Sequence, residues 1–312
     1  MPVEIRLASL DDVKEIVEVY CSDVDKWYRF IDGKKVEARY EDLSVIDKFS
    51  HGGPWMSIET CSIHLNYVLT SNQYPLVALL NDRVVGELEL YIGEESGLLG
   101  KTGFIDVLQV HRDYRKKGIG KALVMKAKDI CIDHDCDTLS VWPEKNVVDF
   151  YKKCGLNTIA YRIYHIEIDL RKIGFIENDY YMEEFPKEYN VLKNMLFISP
   201  RIFSSFTAWV KSRWDFAFEK DRIVSIEGYI RDLGTAFIIE SLWDRKDIGR
   251  LVLWTKNSDT INKFMNYIFN IAINYGFKSL ILLISHDIYK RYFKNYPHIV
   301  IRHELMLMKR LK

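Results

Sequence analysis

Two hydrophobic periods alternate along the chain. "VEIRLAS" near the start places apolar residues at every second position, and "LDDVKEIVEVY" repeats them at helical spacing. The pair predicts a short strand and then a helix capped by Ser9. A polar stretch runs to Ser50 and ends in "HGGPW", where Pro54 opens a helix carrying Met56, Ile63, Val68 and Leu69. "PLVALLNDRVVGELELYIG" reads as two strands about the turn Asn81-Asp82, and "FIDVLQV" as a third, from Phe104 to Val110. Ile119, Leu123, Ala127, Ile130 and His134 then fall on one face of a helix, with Lys121, Lys128 and Asp129 off it. "TLSVW" is a further strand, "NVVDFYKKCG" a short helix stopped by Gly155, and "AYRIYHIEIDL" a closing strand. The fold class is mixed α/β, also describable as α+β, with helices between successive strands.

The second half repeats this ending. A shift of 141 residues lays "TLSVW" on "SLILL", within the aliphatic run "LILLI", and Tyr151 of "DFYKKC" on Tyr292 of "KRYFKN". Each copy has an apolar helix before it and an alternating strand after it, "NTIAYRIYHIEIDL" against "HIVIRHELMLMKRL". One shift matching strand, helix and strand predicts a duplicated domain, residues 1–172 and 173–312. The junction falls between Lys172 and Pro186, where "IENDYYMEEFPKEY" is acidic and aperiodic, and residues 187–220 hold at least one helix.

Composition narrows the class. The 312 residues are 48% hydrophobic and 28% charged, with 44 residues of each sign, as in a water-soluble globular protein of about two domains. Up to and including Lys172 there are 23 basic and 28 acidic residues, and 21 and 16 after it, an asymmetry too mild to argue for nucleic acid. The longest unbroken aliphatic run, Leu280 to Ile284, is too short to cross a bilayer, and the N-terminus is acidic and amphipathic. A cytoplasmic protein without membrane contact is expected. The five cysteines, Cys21, Cys61, Cys131, Cys136 and Cys154, are odd in number and confined to the first half, as suits reduced thiols. "CIDHDC" falls where a helix ends and a strand begins, with no second cysteine pair, so no metal is expected there.

The chemistry concentrates in "VLQVHRDYRKKGIGKALV". "ESGLLGKT" fails as a P-loop because Glu95 stands where the first glycine belongs, and Gly118 and Gly120 fail as a dinucleotide fingerprint because no third glycine follows. What remains is R-x-x-G-x-G between a strand and a helix. Glycines at 118 and 120 permit a tight loop of inward N–H groups at the positive helix end, where a pyrophosphate fits. Arg115, Lys116, Lys117 and Lys121 raise the local positive potential.

"VHRDYRKKGIGKALV" resembles the acyl-CoA-binding motif of the GNAT acyltransferase superfamily, and "NVVDFYKKCGL" resembles its later N-x-x-x-x-x-Y-x-x-x-G helix motif. "IRLASLDDVKEI" and "LLNDRVVGELEL" look like its first strand-helix and central hairpin, so the resemblance covers residues 1 to about 170. It implies two tandem GNAT-like domains, each a mixed central sheet flanked by helices, the second a weaker copy. The implied activity is an N-acetyltransferase moving an acetyl group from acetyl-CoA to an unidentified primary amine, a small molecule or a peptide N-terminus. The family's splayed strand would be Asp106 to Val110, whose backbone at Leu108, Gln109 and Val110 holds the pantetheine arm. The pyrophosphate would sit on the amides from Lys116 through Lys117, Gly118, Ile119 and Gly120 to Lys121, and Asn146 occupies a position that often contacts pantetheine.

Direct transfer needs a base for the ammonium and an acid for the departing thiolate. Family members often take the base four or six residues before the apolar residue closing the strand, here Asp106 or Phe104. Only Asp106 accepts a proton, and burial beside an apolar strand would raise its pKa. Two alternatives stay open: Asp106 as a structural acceptor, and Glu87 or Glu89 as water-relayed bases. Tyr151 matches the family tyrosine that protonates the thiolate; as a core aromatic it would compete with Phe150, which looks like the packing residue. The acceptor is expected beside His51, Trp55, Glu59 and His64, with Trp55 and Glu59 one helical turn apart.

The second copy is an internal control. The same shift turns "RKKGIG" into "KNSDTI", placing Asp259 at Gly118 and Ile261 at Gly120, which would repel and block a pyrophosphate. The second domain is expected to keep the fold without the cofactor; completing the acceptor cleft, widening specificity and pairing into a homodimer are the roles open to it. The rival reading is a non-catalytic acyl-CoA sensor or assembly module.

Overall fold

A computed structural model describes residues 3–31, 34–174, 180–198, 204–215 and 223–312. The chain forms two compact units. The first gathers Met1–Ile92, Ile105–Asp135 and the segment beginning at Trp214; the second gathers Gly93–Phe104, Cys136–Arg213 and Glu219–Lys312.

In the first unit β1 (Glu4–Leu7) leads through a turn capped by Ser9 into α1 (Val13–Cys21). The polar stretch that follows holds structure the periodicity does not announce: a hairpin of β2 (Tyr28–Ile31) and β3 (Lys34–Glu37), then α2 (Val45–Phe49). Pro54 lies in a single 3-10 turn, Gly53–Met56, and Ser57 caps the helix proper, α3 (Ile58–Thr70), accepting from Thr60 N–H at 3.3 Å. The face α3 buries is Thr60, Cys61, His64, Leu65 and Val68, while Ile63 is exposed, a rotation from the expected stripe. β4 (Tyr74–Leu80) and β5 (Arg83–Glu94) pair antiparallel about Asn81 and Asp82, whose φ of 54° and 59° make the tight turn foreseen. β6 (Lys101–Val110) starts three residues before Phe104, and α4 (Ile119–Asp133) follows. α4 buries Ile119, Leu123, Val124, Ala127 and Cys131; the expected Ile130 is half-buried, and His134 is exposed beyond the helix, its Nε2 hydrogen-bonded with the Tyr74 hydroxyl at 2.6 Å.

The second unit contains β7 (Thr138–Val141), α5 (Val148–Lys153), β8 (Thr158–Asp169), β9 (Met182–Glu183), β10 (Leu196–Ile198) and α6 (Ser205–Ser212). It continues with β11 (Ser225–Ile230), β12 (Thr235–Ser241), β13 (Ile248–Thr255), α7 (Ile261–Asn274) and β14 (Ser279–Ser285). α8 (His286–Ile288) runs into a π turn, Tyr289–Phe293, before β15 (His298–Arg310). Gly155 ends the α5 segment with φ 94°, and α6 is the helix expected between 187 and 220. Residues 175–179 of the acidic junction lie outside the described residues, and β9, just after them, pairs with β11. α7 buries Phe264, Met265, Ile268, Phe269 and Ala272 in a core shared with Ile166, Ile168, Leu251, Leu253, Leu280 and Leu282.

Strand order in this unit brings together the elements that the 141-residue shift relates. It runs β7-β15-β8-β14-β13-β12-β11-β9, so β8 does not pair with β7, which precedes it, nor β15 with β14. The two closing strands are exchanged: β15 pairs with β7 and β8 with β14. The 141-residue shift carries one pairing onto the other, Thr138↔Arg310 becoming Ser279↔Asp169. β8 and β15 also pair with each other; the same operation maps Val300↔Ile166 onto Leu307↔Ile159 and leaves Ile163↔Glu304 in place. That pair marks a pseudo-twofold axis.

One half-buried carboxylate organises the same unit. Glu95 accepts from Ser205 N–H at 2.9 Å, Phe206 N–H at 3.1 Å and the Ser204 hydroxyl at 2.9 Å, capping α6. Gly93 is required beside it, since a Cβ there would stand 2.4 Å from the Phe206 side chain. Burial pushes the Glu95 carboxyl up from 4.5 to about 7, against the lowering effect of its three donors. The folded state therefore holds this proton more tightly than the unfolded chain. Stability from this group is full below about pH 4.5 and falls as pH rises to about 7, by on the order of 3 kcal/mol at most. Urea unfolding at pH 5 and pH 8 is expected to show this loss in the wild type and to lack it in Glu95→Gln.

Candidate functional site

β6 ends at Val110 and α4 begins at Ile119, so residues 111–118 connect them. His111 N–H donates to the Val85 carbonyl at 3.0 Å, and Arg115 Nε donates to the Val110 carbonyl at 3.0 Å. The Arg115 guanidinium also pairs with Asp23, which accepts from Gln109 Nε2. Lys117 Nζ turns back to the Asp113 carbonyl at 3.0 Å. Arg115 and Lys117 thus brace the loop as well as charge it, whereas Lys116 and Lys121 are exposed.

The backbone here is tightly wound, with φ of 62° at Lys116 and 85° at Gly118, the N-cap of α4. Glycine suits Gly118 because that left-handed conformation strains any residue with a Cβ. A Cβ there would meet nothing within 4 Å, so the space it faces is open. Among the described residues, no N–H group from Lys116 to Gly120 donates a hydrogen bond within the protein; Ala122 N–H to the Gly118 carbonyl, 3.0 Å, is the first. A row of donors at the positive end of a 15-residue helix has the geometry of a cradle for an anion. Ile119, buried, ties the helix to the sheet. A Cβ at Gly86 would lie 3.2 Å from the Gln109 carbonyl and 3.3 Å from both Ile119 Cγ2 and Leu123 Cδ1, so glycine in β5 sets how closely the cradle approaches β6.

The corresponding connection in the second half differs in length as well as in residues. β13 ends at Thr255 and α7 begins at Ile261, leaving residues 256–260, three fewer. Ile261 is a core residue at the helix start and so matches Ile119 in place, not Gly120 as the constant shift suggests. The donors are consumed internally: Asp259 N–H by Asn257 Oδ1 at 2.9 Å, Thr260 N–H by the Asn257 carbonyl at 3.2 Å, Asn257 N–H by Thr255 Oγ1 at 3.3 Å.

Asp106 in β6 is half-buried, and Phe104 buried. The deeply buried carboxylates of the first unit are instead Glu87 and Glu89 on one face of β5, each 1% exposed. Tyr20 donates to Glu87 Oε2 at 2.6 Å; Trp55 Nε1 and the Tyr91 hydroxyl donate to Glu89 at 3.1 and 2.8 Å, and His64 Nε2 lies 2.6 Å from Glu89 Oε1. Tyr20 stacks on Trp55 with centroids 5.0 Å apart, and Trp214 stacks on Tyr67 and meets His64 edge-on. Burial, with the glutamate charges second, pushes the Tyr20 and Tyr91 hydroxyls well up, so both remain donors. Trp55 therefore serves Glu89 and not Glu59, which is exposed on the first turn of α3; a tryptophan in a 3-10 turn points differently from one on the helix. His51 pins the β2–β3 hairpin through the Tyr28 backbone at 2.9–3.1 Å. Tyr20, Tyr91 and Trp214 had no signal in sequence beyond being aromatic.

Asn146 and Tyr151 belong to the second unit. Asn146 is exposed in the turn before α5. Tyr151 is buried, 6% exposed, and Phe150 half-buried, the reverse of the packing expected. Burial, reinforced by Cys154 and Glu144, pushes the Tyr151 hydroxyl up, so it stays protonated at neutral pH. Cys131 and Cys136 are buried and reduced, and among the described residues no group of histidine, cysteine and carboxylate side chains is placed to hold a metal. No described helix is long and apolar enough to cross a membrane.

Residues 39–156 match the family model described as the acetyltransferase (GNAT) family. Among solved structures, the chain is similar to a GCN5-related N-acetyltransferase from Anabaena variabilis, at 11% identity over 98% of this chain and 72% of that one, TM-score 0.60. It is also similar to a putative acetyltransferase from Pyrococcus horikoshii, 15% identical over 99% and 90%, TM-score 0.56. A GCN5-related N-acetyltransferase from Kribbella flavida matches at 11% identity over 99% and 72%, TM-score 0.58.

Proposed function

We propose that the chain, whose residues 39–156 match the GNAT acetyltransferase family model, is an acetyl-CoA-dependent N-acetyltransferase acting on a primary amine by direct transfer. The one active site lies in residues 1–172, and residues 173–312 are a degenerate copy. The observation that carries this reading is the contrast between the two loops. Donors from Lys116 to Gly120 are unspent at a glycine-capped helix start, while the second loop is shorter and satisfies its own. The register of the exchanged strands supports the duplication.

The donor set fits a diphosphate, which amides and a helix N-terminus bind without a metal. Lys116, Lys117, Gly118, Ile119, Gly120 and Lys121 would hold it, with Arg115 bracing the loop, and the backbone of Leu108, Gln109 and Val110, together with Asn146, would hold the pantetheine arm. Acetyl-CoA supplies an activated thioester when bound. The amine must arrive deprotonated: Asp106, or Glu87 and Glu89 through water, takes the ammonium proton. The amine nitrogen would then bond to the acetyl carbon as the carbon–sulfur bond breaks, Tyr151 giving its proton to the departing thiolate while the second proton leaves the nitrogen and, through solvent, restores the Tyr151 hydroxyl. Five reduced cysteines support a cytoplasmic site of action.

Thiol release from acetyl-CoA, followed with a panel of polyamines, amino acids, aminated sugars and peptide N-termini, tests the proposal. Release that depends on one class of amine is expected. Tight acetyl-CoA binding with no release for any amine would favour a sensor, and no binding would sink the reading.

A further inference from the structure

A cavity of about 400 Å³ opens on β8 and β15 at the pseudo-twofold axis, wholly within the second compact unit. Cross-strand register sets Tyr164 opposite His303 and Arg162 opposite Leu305, so period-two alternation sends Arg162, Tyr164 and His303 to one face. His286 completes the group: its ring stacks with Tyr164 at 5.5 Å between centroids, and His303 meets Tyr164 edge-on at 4.4 Å. Tyr289, face to face with Tyr164 at 4.2 Å, holds that ring in place.

The charge of this lining is one-sided. Among the described residues Arg162 has no ion pair, the Tyr164 hydroxyl has no hydrogen bond, and the imidazole of His303 has neither, meeting the Tyr164 ring edge-on. Glu304, the one carboxylate of the lining, is already bound by Arg302 Nε at 2.5 Å, and burial pushes its carboxyl up, toward the neutral form. Asp287 lies 3.6 Å from His286 Nδ1, with its side chain 96% exposed to water. Arg162 and His303 sit diagonally across the paired strands, and the guanidinium is left without a counter-ion among the described residues. A bound anion would reverse that and give every donor a charge-assisted partner.

We propose that this cavity binds a small anion bearing a carboxylate or a phosphate, held by the Arg162 fork, the Tyr164 hydroxyl and the imidazoles of His286 and His303. A volume of this size suits a metabolite and not a macromolecule. None of these residues belongs to the acyl-transfer machinery, so the site would answer to a second ligand.

The test is a titration of the full chain with sodium phosphate and, separately, with citrate at constant ionic strength, following the histidine ring signals by NMR. Saturable shifts of His286 and His303 are expected, weakened about tenfold or more in Arg162→Gln, as the loss of a charge-assisted hydrogen bond implies, with acetyl-CoA binding unchanged. His303→Gln, also at an exposed position, is the second variant. Saturation by phosphate alone or citrate alone assigns the anion class, and saturation by both assigns a general small-anion site. No saturable shift with either probe, shifts reproduced by sodium chloride, or full affinity in both variants would overturn the proposal.

Discussion

Gly118→Asp is expected to abolish acetyl-CoA binding, weakening it by more than about a hundredfold in titration calorimetry, while the protein stays folded. A side chain at this position keeps the strain of φ 85°, worth about 1–2 kcal/mol, but meets no atom within 4 Å, so the melting temperature should drop by only a few degrees. The carboxylate, however, would project from the middle of the donor row and meet a diphosphate with like charge. Gly118→Ala carries the strain without the charge and should bind more weakly than wild type but measurably. If the aspartate variant bound acetyl-CoA as tightly as the wild type, the cradle would have to be sought elsewhere.

The second large effect concerns the proton that closes the reaction. Tyr151→Phe is expected to lower kcat by about 10²-fold or more, with KM for acetyl-CoA little changed and the unfolding transition unmoved. The structural grounds are specific. The ring is buried and phenylalanine preserves its packing, while the hydroxyl makes no hydrogen bond among the described residues, so removing it costs the fold nothing. Its upward-shifted pKa keeps it a donor through neutral pH, so turnover should not fall on the alkaline side until well above pH 8. Loss of stability in place of turnover would return Tyr151 to the core.

Local chemistry was legible in the sequence wherever it depended on neighbours along the chain. Gly118 at a helix start and the tight turn at Asn81-Asp82 were both readable because each is a local pattern. What depended on partners far away was not. "GELEL" in β5 alternates like a half-exposed strand, yet both faces are covered, because Tyr20, Trp55 and His64 fold over Glu87 and Glu89. Phe150 and Tyr151 exchange roles because the turn before α5 sets which face of that short helix points inward. A constant shift also hid the three-residue shortening between β13 and α7, since it keeps the helices in step within a residue while the end of β6 falls on residue 251, four residues before β13 ends. The exchange of β8 and β15 leaves no local trace at all: both strands carry the same alternation, and only the pairing partner changes.

That exchange dictates an order of events during synthesis. β7 finds no neighbour in the strand that leaves the ribosome directly after it and must wait, edge open, until β15 has been made. β8 meanwhile waits for β14. A nascent chain stalled before β15 therefore presents an unpaired, apolar strand edge to whatever quality-control factor meets it first.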